Sequence, residues 1–112
     1  MKLHDIVKEL ELEIKSKVSN LDKEICGGYA SDLLSDVLAN AKKGYIWVTL
    51  QIHQNIVGVS VIKELAGIII VNGREPEEET LKKAEVEDIP IMGTELPAFE
   101  IIGKLYRFID GC

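Results

Sequence analysis

YIWVTLQIHQNIVGVSVIKELAGIIIV, residues 45–71, decides the fold. Its two ends, YIWVTL (45–50) and GIIIV (67–71), are nearly unbroken apolar runs rich in β-branched and aromatic residues. Runs of that length and composition read as strands. The lack of polar alternation implies cover on both faces, as in a parallel sheet between two helical layers. The residues between them are ambiguous on propensity. Val57, Val59 and Val61 alternate like a strand, whereas Ile56, Val59, Ile62, Leu65 and Ala66 fit one face of a helix. Two parallel strands need a crossover of a dozen or more residues, and this segment has the length of a helical one. The helix is therefore preferred over the local propensity.

Downstream, Asn72-Gly73-Arg74 makes a turn, and Pro76 stands at the first turn of a helix through about Glu87 with a narrow apolar face of Leu81, Ala84 and Val86. IPIM (89–92) is a short strand. Ala98, Ile101, Ile102, Leu105 and Ile109 mark a final helix. Upstream, Leu3, Ile6, Val7 and Leu10 define a helix over residues 2–10, and Leu12 and Ile14 a short strand. A second short strand is expected at 24–26, ended by Gly27-Gly28. Ser31 then caps a helix with a buried stripe of Leu33, Leu34, Val37, Leu38 and Ala41; Lys42 and Lys43 fill its last turn and Gly44 stops it. From residue 45 onward strand and helix alternate. The expected architecture is one α/β domain over residues 1–112, a three-layer α/β/α sandwich with a mostly parallel sheet.

The net charge of −6 disfavours nucleic acid and anionic lipid as partners. No stretch approaches the ~18 apolar residues of a membrane span, and no secretory signal precedes the first helix. The two cysteines, Cys26 and Cys112, cannot build a zinc site, and a bridge to a chain-terminal cysteine is not expected. Reduced thiols and a cytoplasmic location follow, with Cys26 read as an interior strand residue rather than a reactive thiol.

The segments GGYASDLLSDVLANAKKG (27–44), WVTLQIHQNIVGVSVIKELAGIIIVNGREPEEETLKKAEVEDIPI (47–91) and LPAFEIIGKLYRF (96–108) together resemble a small stand-alone DRTGG-domain protein. That family is similar in fold to the N-terminal domain of HPr kinase/phosphorylase. The resemblance implies a non-catalytic accessory domain, of the kind that accompanies some phosphotransacetylases or sits between nucleotide-sensing CBS modules of some inorganic pyrophosphatases. A kinase role is excluded at the level of motif. The chain has no G-x-x-x-x-G-K-[ST] loop to hold nucleotide phosphates.

In open α/β sheets ligands bind beyond the carboxyl ends of the strands. The candidate ligand-binding residues are therefore Gln51 and His53 after the first apolar run and Asn72, Gly73 and Arg74 after the second. Gly27 and Gly28 join them because glycines before a helix present backbone N–H groups to an anion. Each has a plainer reading: a polar strand end capping the next helix, a turn whose arginine finds an internal acceptor, a tight glycine turn. Glu75, Glu77, Glu78 and Glu79 suit a polar or cationic ligand better than a bare anion. His53 has no acidic or thiol partner in sequence, so no catalytic residue, metal site or cofactor is assigned.

Phe99, Tyr106 and Phe108 make the last helix apolar over more than one face, which points to a second subunit. The expected function is a homodimeric regulatory or ligand-sensing domain for a small ligand or a protein partner, and the resemblance implies an adenine nucleotide as the first ligand class. The alternative is an interaction adaptor without a small-molecule ligand, distinguished by a pocket lined only with internally satisfied turn residues. A phosphotransfer role for His53 ranks third.

Overall fold

The two apolar runs lie side by side and parallel, with Ile46 opposite Gly67 and Thr49 opposite Ile70. The computed structural model describes residues 1–109. In chain order its elements are α1 (Leu3–Glu9), β1 (Glu13–Ile14), β2 (Gly27–Ala30), α2 (Leu34–Asn40) and β3 (Tyr45–Thr49). They are followed by α3 (Asn55–Lys63), β4 (Gly67–Ile70), α4 (Glu78–Glu87), β5 (Ile91–Gly93) and α5 (Ala98–Tyr106). The sheet order is β1-β5-β4-β3-β2. β2 to β5 are mutually parallel, and β1 closes the far edge antiparallel to β5.

Strand parity divides the core in two. Ile46, Val48, Ile69, Val71 and Met92 face α1 and α5, where Leu3, Ile6, Ile101 and Leu105 cover them. Trp47, Ile68, Ile70 and Ile91 face the other way, under Val37, Ile56, Val57 and Ala84 of α2, α3 and α4. Successive strand side chains alternate between faces, so a run covered on both must be apolar at every position. The expected sandwich and the helical crossover between β3 and β4 are both present. Ser60 shows how a strand-prone segment tolerates being a helix: its buried hydroxyl donates to the Ile56 carbonyl one turn back at 2.8 Å.

Several local expectations are corrected. Gly27 and Gly28 do not end a strand at 24–26; they begin β2, in register with Tyr45 and Ile46, and Glu24 makes only an isolated bridge to Lys2. α2 starts three residues after Ser31, whose hydroxyl accepts the Leu33 N–H at 3.1 Å in a turn ahead of the helix. Its stripe is narrower than expected: Val37 and Ala41 are buried, but Leu33 and Leu38 are exposed. The helix ends at Asn40, so Lys42 and Lys43 lie in the following turn. Gly44 there has φ +81°, and a Cβ would stand 2.6 Å from the Cys26 sulfur. On α4, Val86 is exposed. Cys26 is disulfide-bonded rather than a reduced thiol; Cys112 lies outside the described residues. No helix among the described residues is long and apolar enough to cross a membrane.

Candidate functional site

At the carboxyl ends of β2 and β3 a short polar chain ties the loops together. Asp32 lies ahead of α2 and reaches across to the end of β3. One of its carboxylate oxygens accepts the Thr49 hydroxyl at 2.8 Å and the Leu50 N–H at 2.7 Å. Gln51 donates its side-chain amide to the Asp32 carbonyl at 2.8 Å, and its own N–H goes to the Thr49 hydroxyl at 3.1 Å. On the other side Arg74 donates to the Leu50 carbonyl at 2.5 Å. Gln51 and Arg74 thus meet around residues 49–51, as internal fasteners of the strand end. Asp32, which links them, was not singled out in the sequence, where a Ser-Asp pair before an apolar stripe reads as a helix start.

Asn72 and Gly73 both have positive φ, 61° and 65°. Arg74 N–H returns to the Val71 carbonyl at 3.3 Å and closes the turn. Two consecutive left-handed residues of the type Asn-Gly form a mirror-image turn. Its amides are not available to an anion: Asn72 N–H donates to Leu96 O at 3.0 Å and Gly73 N–H to Thr94 O at 2.8 Å. His53 is exposed, and its Nδ1 accepts the Asn55 N–H at 3.2 Å at the start of α3. The residue itself thus caps the next helix, the plainer of its two expected roles. Gly27 and Gly28 stand at the amino end of β2, beside the starts of β3, so they are not part of the carboxyl-end group.

The carboxyl edge does contain a cleft, of about 530 Å³, displaced toward β5 and β1. Of the expected residues only Gly73 and Arg74 line it; Lys15, Thr94, Glu95 and Lys104 supply other parts of its wall. These come from the end of β1, where Lys15 follows Ile14, from the loop after β5 and from α5, far apart in sequence, and no local pattern announces them. Six glutamates, Glu13, Glu75 and Glu95 among them, face three cations, Lys15, Arg74 and Lys104. Lys15 is the most enclosed of the three, its side chain 11% exposed. Its ammonium bonds Glu75 at 2.8 Å and Glu13 at 3.0 Å. The hydrogen bond it donates to Glu75 is the main cause that raises its pKa above the ordinary lysine value, outweighing the opposing effect of burial. The cleft as a whole is net negative and polar.

A second cluster fastens β2 to α2. Tyr29 donates its hydroxyl to Asp36 at 2.8 Å, and Asn40 donates to the same oxygen at 2.8 Å. Hydrogen bonds from Ser31 first, then from Tyr29 and Asn40, hold the Asp36 carboxyl below the usual range. The Tyr29 hydroxyl is correspondingly pushed up by Asp36. Among the described residues no group of three or more His, Cys, Asp or Glu side chains is arranged to hold a metal ion. Nor, among the described residues, does any buried side-chain polar atom lack a hydrogen bond.

No family model matches the sequence, and no curated protein does. Among solved structures the chain is similar to the CBS and DRTGG domains of the regulatory region of Clostridium perfringens pyrophosphatase, which were crystallised with the activator diadenosine tetraphosphate. The TM-score is 0.67 at 14% identity, over 90% of this chain and 44% of that one. The likeness is one of fold, and this chain spans less than half of the chain it matches.

Proposed function

We propose that this chain is a non-catalytic regulatory domain of the DRTGG type, acting as a homodimer that senses a small ligand at the carboxyl edge of its sheet. The observation that carries the reading is the fold it shares with a nucleotide-responsive regulatory region. The cleft beside Arg74 lies where parallel sheets of this kind receive ligands. Adenine nucleotides are the first class to test. The two-to-one excess of carboxylates over cations opposes a polyphosphate. The adenosine end of such a ligand, or a cationic group, fits the cleft better than a phosphate chain.

The second reading is a protein-interaction adaptor without a small-molecule ligand. It is favoured by the hydrogen bonding of Gln51, His53, Asn72, Gly73 and Arg74, each of which has an internal partner. Thermal unfolding with AMP, ATP and diadenosine tetraphosphate separates the two. A ligand at about one hundred times its Kd adds roughly 2.7 kcal/mol to the folded state, a shift of roughly 10 °C for a domain this size. Unchanged midpoints at millimolar concentrations of all three would refute nucleotide sensing and leave the adaptor reading.

A further inference from the structure

Cys26 stands immediately before β2, half-buried, with its N–H donated to the Gly44 carbonyl at 2.9 Å. It is disulfide-bonded, and the sequence holds one other cysteine, Cys112. Between β2 and α5 runs an apolar trench of about 180 Å³, with Gly27, Gly28, Ile102 and Ile109 among its lining residues. The end of α5 lies beside the start of β2: a Cβ on Gly28 would stand 3.8 Å from a Leu105 methyl. Gly27, the neighbour of Cys26, and Ile109, the last described residue, therefore line the same small space. Three residues, Asp110, Gly111 and Cys112, follow Ile109. Extended, they span about 10 Å, which is enough to cross that end of the trench and bring the second sulfur to the first.

We infer that Cys26 is bonded to Cys112, that residues 110–112 fill the trench end beside Gly27, and that the bond is a reversible redox switch fastening the end of α5 to β2. Two observations favour a switch over a permanent staple. The core is complete without the bond: both faces of the sheet are covered, and Ile101 and Leu105 already hold α5 down. Domains that depend on a staple are those too small to build such a core. The bond also joins the outermost strand on its side of the sheet to the chain terminus, so opening it frees the end of one helix and leaves the core closed. A dithiol reductant opens it by exchange. Its first thiolate attacks the Cys112 sulfur, because Gly44 lies against the Cys26 sulfur. The protein S–S bond breaks, and its electron pair leaves on Cys26, which takes up the proton that the attacking thiol gave up. The second thiol of the reductant, losing its proton, then displaces Cys112, which gains that proton. The protein ends with two thiols and the reductant with a disulfide, two electrons having passed. Glutathione disulfide runs the change backwards and leaves as two molecules of glutathione.

The test takes the intact chain through mixtures of reduced and oxidised glutathione, with free thiols trapped by iodoacetamide and the peptides mapped by mass spectrometry. A cross-linked peptide pair carrying Cys26 and Cys112 from one chain is expected in the oxidised mixtures, lost in millimolar reduced glutathione. Trypsin cleavage after Arg107, the C-cap of α5, reads the fastening itself. It should run at least ~10-fold faster once the bond is open. Cys112→Ser should cleave at the fast rate in either mixture; should that variant fail to fold by circular dichroism, the reduced and alkylated wild type takes its place. Absence of the linked pair after oxidation would overturn the pairing. A bond that stays closed in excess reduced glutathione would make it a staple and overturn the switch. Equal cleavage rates with the bond open and closed would overturn its hold on α5. Nucleotide-induced thermal shifts are independent of all three results.

Discussion

Ser16→Ala is the most informative single perturbation of the fold. The Ser16 hydroxyl is fully buried; it donates to the Ile89 carbonyl at 2.9 Å and accepts the Ile91 N–H at 2.8 Å. It therefore supplies the partner of two main-chain groups at the point where β5 begins and the antiparallel edge strand ends. Alanine removes one oxygen and leaves both groups without that partner in a place where Ile91 is fully buried and Ile89 nearly so. An unsatisfied buried donor or acceptor costs about 1–3 kcal/mol, so two should cost about 2–6 kcal/mol together. Ser60→Ala is the matched control. Ser60 is equally buried, but its hydroxyl only adds a second bond to a carbonyl inside α3, so its loss should cost less than ~1 kcal/mol. Urea unfolding of both variants at constant slope measures the difference directly. Ser16→Ala should lower the midpoint by about 1–3 M. A cost below 1 kcal/mol, or one no larger than that of Ser60→Ala, would refute the claim that this hydroxyl pins β1 to β5.

Asp32→Ala should destabilise by about 1–2 kcal/mol, because the Thr49 hydroxyl and Leu50 N–H lose a charged acceptor at the surface; chemical denaturation checks it, and a neutral result would show that water replaces the carboxylate. Gly44→Ala should cost at least ~1 kcal/mol, since φ is +81° and the new methyl meets the Cys26 sulfur; an unchanged melting temperature would contradict the left-handed turn. Asp88 accepts the Ser19 N–H at 2.9 Å and hydroxyl at 2.8 Å, and the backbone bond first, then the hydroxyl, lowers its pKa. A depressed folded-state pKa adds stability above the unfolded-state value and loses it as pH falls through the folded-state value. The advantage of the wild type over Asp88→Asn should therefore be full at neutral pH and vanish in acid, which paired denaturation series from pH 7 to pH 2 will show; an advantage independent of pH would refute the charge contribution.

The centre of the fold is legible because double-sided burial leaves a mark in sequence. β3 and β4 must be apolar at consecutive positions, and the 16 residues between YIWVTL and GIIIV leave room for a helix and little else. The edges leave no such mark. β2 reads Gly-Gly-Tyr-Ala, a stretch with weak strand propensity that becomes a strand only because β3 offers it a partner. That one misreading also moved Gly27 and Gly28 to the wrong end of the sheet. Asp32 illustrates a different limit: an aspartate before a helical stripe serves equally well in a helical first turn or as a tie to a neighbouring strand, and only tertiary placement chooses. The cleft was half visible. Gly73 and Arg74 follow β4 and were identified, while Lys15 and Lys104 reach the same space from opposite ends of the chain.

The pairing of β1 with β5 has a kinetic consequence. Glu13 and Gly93 are partners although about 80 residues separate them, whereas each parallel pair in the sheet joins residues only about 20 apart. Closing the larger loop costs about 1 kcal/mol more in chain entropy than closing one of the smaller ones, and only two residue pairs form in return. The first fifteen residues should therefore dock after the parallel strands have assembled and detach before them, so that amide exchange at Lys15 and Ser16 reports a partial opening while Trp47 and Ile69 exchange only when the whole domain unfolds.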